Sequence, residues 1–166
     1  MNFKKLLPKA LIPFLVLLFV TPVLAYFIGS ANLLVDGNME ADNTTNYTAS
    51  NQAVITKDTT LPYRGTRCLR VTKGDTEGLS AIAVAGSVTA KTYRVTGWAR
   101  SDTLGNPAIA FQNQVVWTGG ADLTEWTYFD ITTTTTGGQI RLRNYDRGTV
   151  AGSWVEFDDI RVEEVL

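Results

Sequence analysis

Residues Ser153 to Leu166 read SWVEFDDIRVEEVL. Val155 and Phe157 are apolar at odd positions and Ile160 and Val162 at even ones, so the side-chain period slips by one at Asp158-Asp159. A strand keeps one face in a core only at period two. A slip with apolar residues on both sides therefore predicts a bulge that carries one extra residue. Two carboxylates sit on that bulge. Paired acids on a distorted strand are either a solvated kink or oxygen ligands for a hard cation such as calcium, and the residues alone leave both readings open.

Working back from this strand, the chain reads as strands and turns, and no stretch after Gly29 keeps a helical period. Expected strands cover Ala53 to Lys57, Arg67 to Thr72, Leu79 to Val84, Thr92 to Arg100, Ala108 to Gln112, Val115 to Thr118, Thr127 to Thr133 and Gln139 to Asn144. Asn32 to Val35 reads as a short opening strand, and Ala41 to Asn51 as a polar loop. In the Thr92 strand, Tyr93, Val95, Gly97 and Ala99 share one face, and Arg94, Thr96, Trp98 and Arg100 the other. Ile140 and Leu142 point inward and Arg141 and Arg143 outward. Roughly ten short strands at this spacing predict an all-β domain, a two-sheet antiparallel sandwich, over residues 30–166.

Residues 1–29 have a different composition. Lys4, Lys5 and Lys9 precede the apolar run LIPFLVLLFV and then Thr21-Pro22-Val23-Leu24-Ala25. Three readings fit. A secretory signal would be cut ahead of Tyr26. A membrane anchor would retain residues 10–28 as one apolar helix, with membrane contact and the lysines on the cytoplasmic flank. The third follows Lys9-Ala10-Leu11, which resembles the processing site of archaeal type IV pilin precursors and would leave an apolar helix to bundle in a filament core as a homo-polymer. All three imply an exported chain, extracellular or at the cell surface.

Composition removes several functions. There is no histidine, which excludes His-ligated zinc, a Ser-His-Asp triad and a histidine base. The net charge of −1 gives no reason to expect nucleic acid. The single cysteine, Cys68, cannot form an internal disulfide and reads as a small buried thiol. No phosphate-cradling glycine loop or cofactor motif is present.

Five motifs in order carry a resemblance. They are Asn32-Leu33-Leu34 with Gly37-Asn38-Met39-Glu40, then Gly65 to Val71 (GTRCLRV), and Tyr93 to Arg100 (YRVTGWAR). Glu125-Trp126-Thr127 with Phe129, and Val155 to Ile160 (VEFDDI), complete the set. Together they resemble the carbohydrate-binding modules of the galactose-binding-like jelly-roll type found on xylanases and glucanases. The resemblance implies a non-catalytic module with a polysaccharide or surface glycan as partner. It implies a structural calcium held by Glu40 and Asp158, which leaves that pair committed to the metal and not to glycoside hydrolysis. It also implies a glycan face with stacking rings and hydroxyl-reading polar groups. Trp117, Gln112, Trp98, Arg141, Arg143 and Tyr145 are the residues here that could form that face. The loop Gly74 to Leu79, where relatives often place a stacking aromatic, has none. Trp126 and Trp154 read as packing at the core edge. The other function open to the sequence is a structural subunit of a surface filament, pilus or envelope layer.

Overall fold

The structure is a computed structural model, and it describes residues 31–74, 80–145 and 150–166. The segment expected to be a signal, anchor or filament helix, residues 1–29, lies outside the described residues, as does most of the loop after Gly74.

Ten strands follow one another: β1 (Thr48–Ser50), β2 (Ala53–Asp58), β3 (Cys68–Lys73), β4 (Ala81–Val88), β5 (Thr92–Ser101), β6 (Pro107–Phe111), β7 (Gln114–Thr118), β8 (Thr127–Thr134), β9 (Gly138–Asn144) and β10 (Trp154–Glu164). They form two five-stranded antiparallel sheets. Sheet one has the order β1-β4-β9-β6-β7 and sheet two the order β2-β3-β10-β5-β8. The two-sheet sandwich read from the strand spacing is the fold observed.

Alternation explains the core. Leu69 and Val71, Val95 and Ala99, and Val155 and Phe157 come inward from sheet two; Ala81 and Ala83, Ile109 and Phe111, and Ile140 and Leu142 come inward from sheet one. The bulge is where the sequence places it. Asp158 pairs with Trp98 and Arg161 with Thr96, so three steps on β10 span two on β5. Asp159 takes a φ of 45°, and Ile160 and Val162 return to the core fully buried. Gly97 stands beside the bulge because a Cβ there would lie 2.3 Å from Ile160 Cδ1 and 3.1 Å from its Cα.

Two expectations are corrected. Asn32 to Val35 is not a strand. The Asn32 side chain accepts from Leu34 N at 3.1 Å and so turns the backbone locally. The same amide donates to Ile160 O at 2.9 Å and accepts from Val162 N at 2.9 Å. It thereby substitutes for a strand along the part of β10 that extends past β3. The polar loop Ala41 to Asn51 contains β1, whose three residues pair with β4. So short a strand in a Thr- and Asn-rich context gives no apolar alternation to detect.

Candidate functional site

The six candidate glycan-face residues divide between the two sheets. Arg141 and Arg143 lie on the outward side of β9, at the middle of sheet one. Arg141 is flanked by Val84 and Ala110, and Arg143 by Ile82 and Ala108. Tyr145 follows at the end of β9, with the Arg143 guanidinium over its ring at 4.9 Å. Gln112 is in the β6–β7 turn with a φ of 53°; its side-chain oxygen accepts from Gln139 N at 3.2 Å. These four share one sheet.

Trp117 does not join them. It pairs with Ile109, an inward residue, and its ring stacks on Phe129 with centroids 4.3 Å apart. A register shift between Ile109 and Ala110 sets this orientation, and no periodic signal in Val115 to Thr118 announces such a shift. Trp98 is outward as expected, but on sheet two. Tyr63 stacks on it at 3.7 Å, and Tyr128 is tilted against it at 5.2 Å. A cleft of about 300 Å³ adjoins Trp98 and Tyr128, rimmed by Arg94, Arg161 and Glu163.

Sequence reasoning also missed the network beneath this outer surface. Trp126 and Trp154 are not at the core edge. Trp126 donates from Nε1 to Leu61 O at 3.0 Å, and Trp154 lies under Arg70 at 4.5 Å and Arg100 at 5.8 Å. Glu156, fully buried, accepts from both arginines. Charge alternation along β3, β5 and β10 was the available signal.

The expected metal ligands do converge. Glu40, Asn38, Arg64, Gly65, Asp158 and Asp159 line one cleft of about 250 Å³. Glu40 Oε1 accepts from Thr66 N at 2.9 Å and Arg67 N at 3.1 Å, and Oε2 from the Thr66 hydroxyl at 2.7 Å. The Thr66 hydroxyl bond leads in holding the Glu40 carboxyl below its ordinary range. Gly65 is required here: its φ is 70°, and a Cβ would sit 2.2 Å from Glu40 Oε1. Asp158 is fully buried, and its oxygens accept from Arg64 N at 2.9 Å and Asp159 N at 2.7 Å. Burial pushes its carboxyl up to about 6, against the pull of those N–H groups. An acid that is costly to ionise, with oxygen donors around a shared cleft, suits a hard cation. Among the described residues no three His, Cys, Asp or Glu side chains form a metal cluster, so backbone and amide oxygens would have to complete the shell. Cys68 is buried, its Sγ 3.7 Å from Asp58 O, and burial pushes the thiol up. It is an inert core thiol.

The fold thus defines a jelly-roll β-sandwich with an outward polar face on sheet one and an acidic cleft at the bulge. No protein-family model matches the sequence, and no curated protein does. Solved structures share the fold. The CBM22-1 xylan-binding domain of Paenibacillus barcinonensis Xyn10C matches with a TM-score of 0.51 at 14% identity, covering 77% of this chain and 91% of that one. The carbohydrate-binding module CBM29-2, in a mutant complexed with cellulohexaose, matches with a TM-score of 0.52 at 12% identity, covering 82% and 92%. The enzymatically active domain of tailspike protein 4 from bacteriophage CBA120 matches at 0.57 and 12% identity, covering 81% of this chain but 21% of the tailspike chain.

Proposed function

We propose that this domain is a non-catalytic, extracytoplasmic glycan-binding module, acting in adhesion or in holding a polysaccharide. The observation that carries the reading is the outward face of sheet one. There Arg141, Arg143, Gln112 and Tyr145 gather on neighbouring positions over buried Ala108 and Ala110. Long polar side chains set side by side along a strand suit an extended chain of hydroxyl-bearing rings. The fold shared with the xylan-binding and cellulohexaose-complexed modules supports the same reading. Affinity electrophoresis through gels containing neutral and acidic polysaccharides tests it. Retardation by at least one, lost in an Arg141→Ala/Arg143→Ala variant that still folds, is the expected result. Mobility unchanged across the whole set would sink the proposal.

Calcium in the Glu40–Asp158 cleft belongs to the same proposal. The ion would neutralise the buried acid and tie the opening segment to the closing strand, a structural role. In metal-free protein Asp158 titrates near 6 when folded, against about 3.9 unfolded. A raised folded pKa means that the native state binds the extra proton. The group's contribution is therefore full below about pH 4 and is lost as pH rises through 6, by about 3 kcal/mol. In EDTA, the stability of the wild type relative to an Asp158→Asn variant should fall between pH 5 and pH 7. Adding calcium at pH 7 should raise the wild-type melting temperature and leave the variant's nearly fixed. A wild-type melting temperature indifferent to calcium would remove the metal from the proposal.

A further inference from the structure

Arg141, outward on sheet one, differs from six other described arginines in the partners it holds. Six described arginines reach a carboxylate: Arg64 to Asp159, Arg67 to Asp42, Arg70 and Arg100 to Glu156, Arg94 to Asp130, and Arg161 to Glu163. Arg141 does not. Its Nε and Nη2 donate to Gln139 Oε1 at 3.0 and 2.7 Å, and its Nη1 to Asn113 Oδ1 at 3.1 Å. All three bonds end on neutral amide oxygens, and two of the five guanidinium N–H groups are left over.

Among the described residues, the strand positions beside Arg141 supply no anion either. One row across the outward face runs Thr48, Val84, Arg141, Ala110, Val115, and the next Ser50, Ile82, Arg143, Ala108, Thr118. Neither row holds an acid. Arg143 stands two residues from Arg141 on the same side of β9, about 7 Å along the strand. An arginine that served only solubility would stay mobile, because fixing it costs rotamer entropy of about 2 kcal/mol. Arg141 is instead half-buried and clamped in one plane by a side chain from its own strand and another from the β6–β7 turn. A fixed guanidinium plane with N–H groups to spare is what bidentate carboxylate recognition needs.

We propose that the ligand of this face is an acidic polysaccharide whose uronate carboxylate meets Arg141. This rests on the glycan-binding reading above and specifies its ligand class. Xylan, cellohexaose, polygalacturonate, fully methyl-esterified polygalacturonate and dextran sulfate are the probes, each titrated against the full domain by calorimetry. Polygalacturonate should bind. Methyl esterification, which keeps the sugar and removes the charge, should weaken it at least about tenfold, and so should Arg141→Gln, since each removes a charge-assisted hydrogen-bonded pair. Arg141→Lys, which keeps the charge without the fork, should fall between wild type and Arg141→Gln; its near-UV circular dichroism checks that the variants fold. Binding of xylan or cellohexaose with no preference for the acid form over its ester would overturn the uronate assignment and leave the glycan reading standing. Dextran sulfate bound as tightly as polygalacturonate would also overturn it, in favour of undirected anion attraction. Failure of every probe would overturn both.

Discussion

Replacing Glu156 with alanine is expected to cost about 3–5 kcal/mol of folding stability, the range for removing one partner of a buried ion pair. Its Oε1 accepts from Arg70 Nε at 2.8 Å and Nη2 at 2.7 Å, and its Oε2 from Arg100 Nε at 2.6 Å. Arg70 retains Asp58 as a second partner. Arg100 has no other carboxylate among the described residues and is only 11% exposed, so water screens it little. The indole rings of Trp126, at 5.0 Å, and Trp154, at 5.8 Å, offer it no counter-charge beyond their faces. The cost should therefore come from stranding Arg100 and not from losing favourable contacts. A double variant, Glu156→Leu/Arg100→Met, separates the two. It removes the Glu156–Arg100 pair, leaves Arg70 on Asp58 and strands no charge, and should be more stable than Glu156→Ala alone. Urea unfolding of both variants decides the matter. A double variant less stable than the single would mean that the pair's own attraction dominates.

The same network shows where sequence reading stops. The bulge at Asp158-Asp159 was legible because Val155, Phe157, Ile160 and Val162 mark the inward side on both flanks, and a one-residue slip moves every later side chain. Alternation inside β5 and β9 likewise gave the outward sides of Trp98, Arg141 and Arg143 correctly. It could not say that those outward sides belong to opposite sheets. That depends on which distant strands pair, as β5 with β10 and β9 with β4 and β6, and the pattern within a strand is identical in either case. Trp117 failed for a second reason, a register shift in its pairing with β6 that leaves no trace in composition. The convergence of Glu40 and Asp158 was reached through the resemblance. What brings them together is the segment from Leu61 to Thr66, whose backbone N–H groups bond to Asp158 at one point and Glu40 at another. Such a segment has no period to read. The clamp on Arg141 was hidden likewise, since Asn113 becomes its partner only through a turn 28 residues away.

Phe157→Ala should be as costly as the loss of Glu156, about 3–5 kcal/mol, through a different mechanism. The phenyl ring is fully buried, and its backbone neighbours in the sheet are Leu69 on β3 and Ala99 on β5, both themselves buried. β10 is the central strand of sheet two, so pairing on both sides restrains the backbone from closing over the void. The lost transfer energy and the residual cavity then add. Phe157→Leu keeps most of the volume and should cost less than about 1.5 kcal/mol. The functional consequence follows from alternation. Phe157 points inward between Glu156 and Asp158, which point outward, so its truncation removes core packing without touching the acidic cleft or the Arg141 face. Calcium and glycan affinities measured on folded Phe157→Ala protein should match the wild type, while the urea midpoint falls and the slope m holds. A midpoint within the error of wild type would show that the ring contributes little to the core. An affinity that falls along with the midpoint would show that β10 is positioned by the packing of this one side chain.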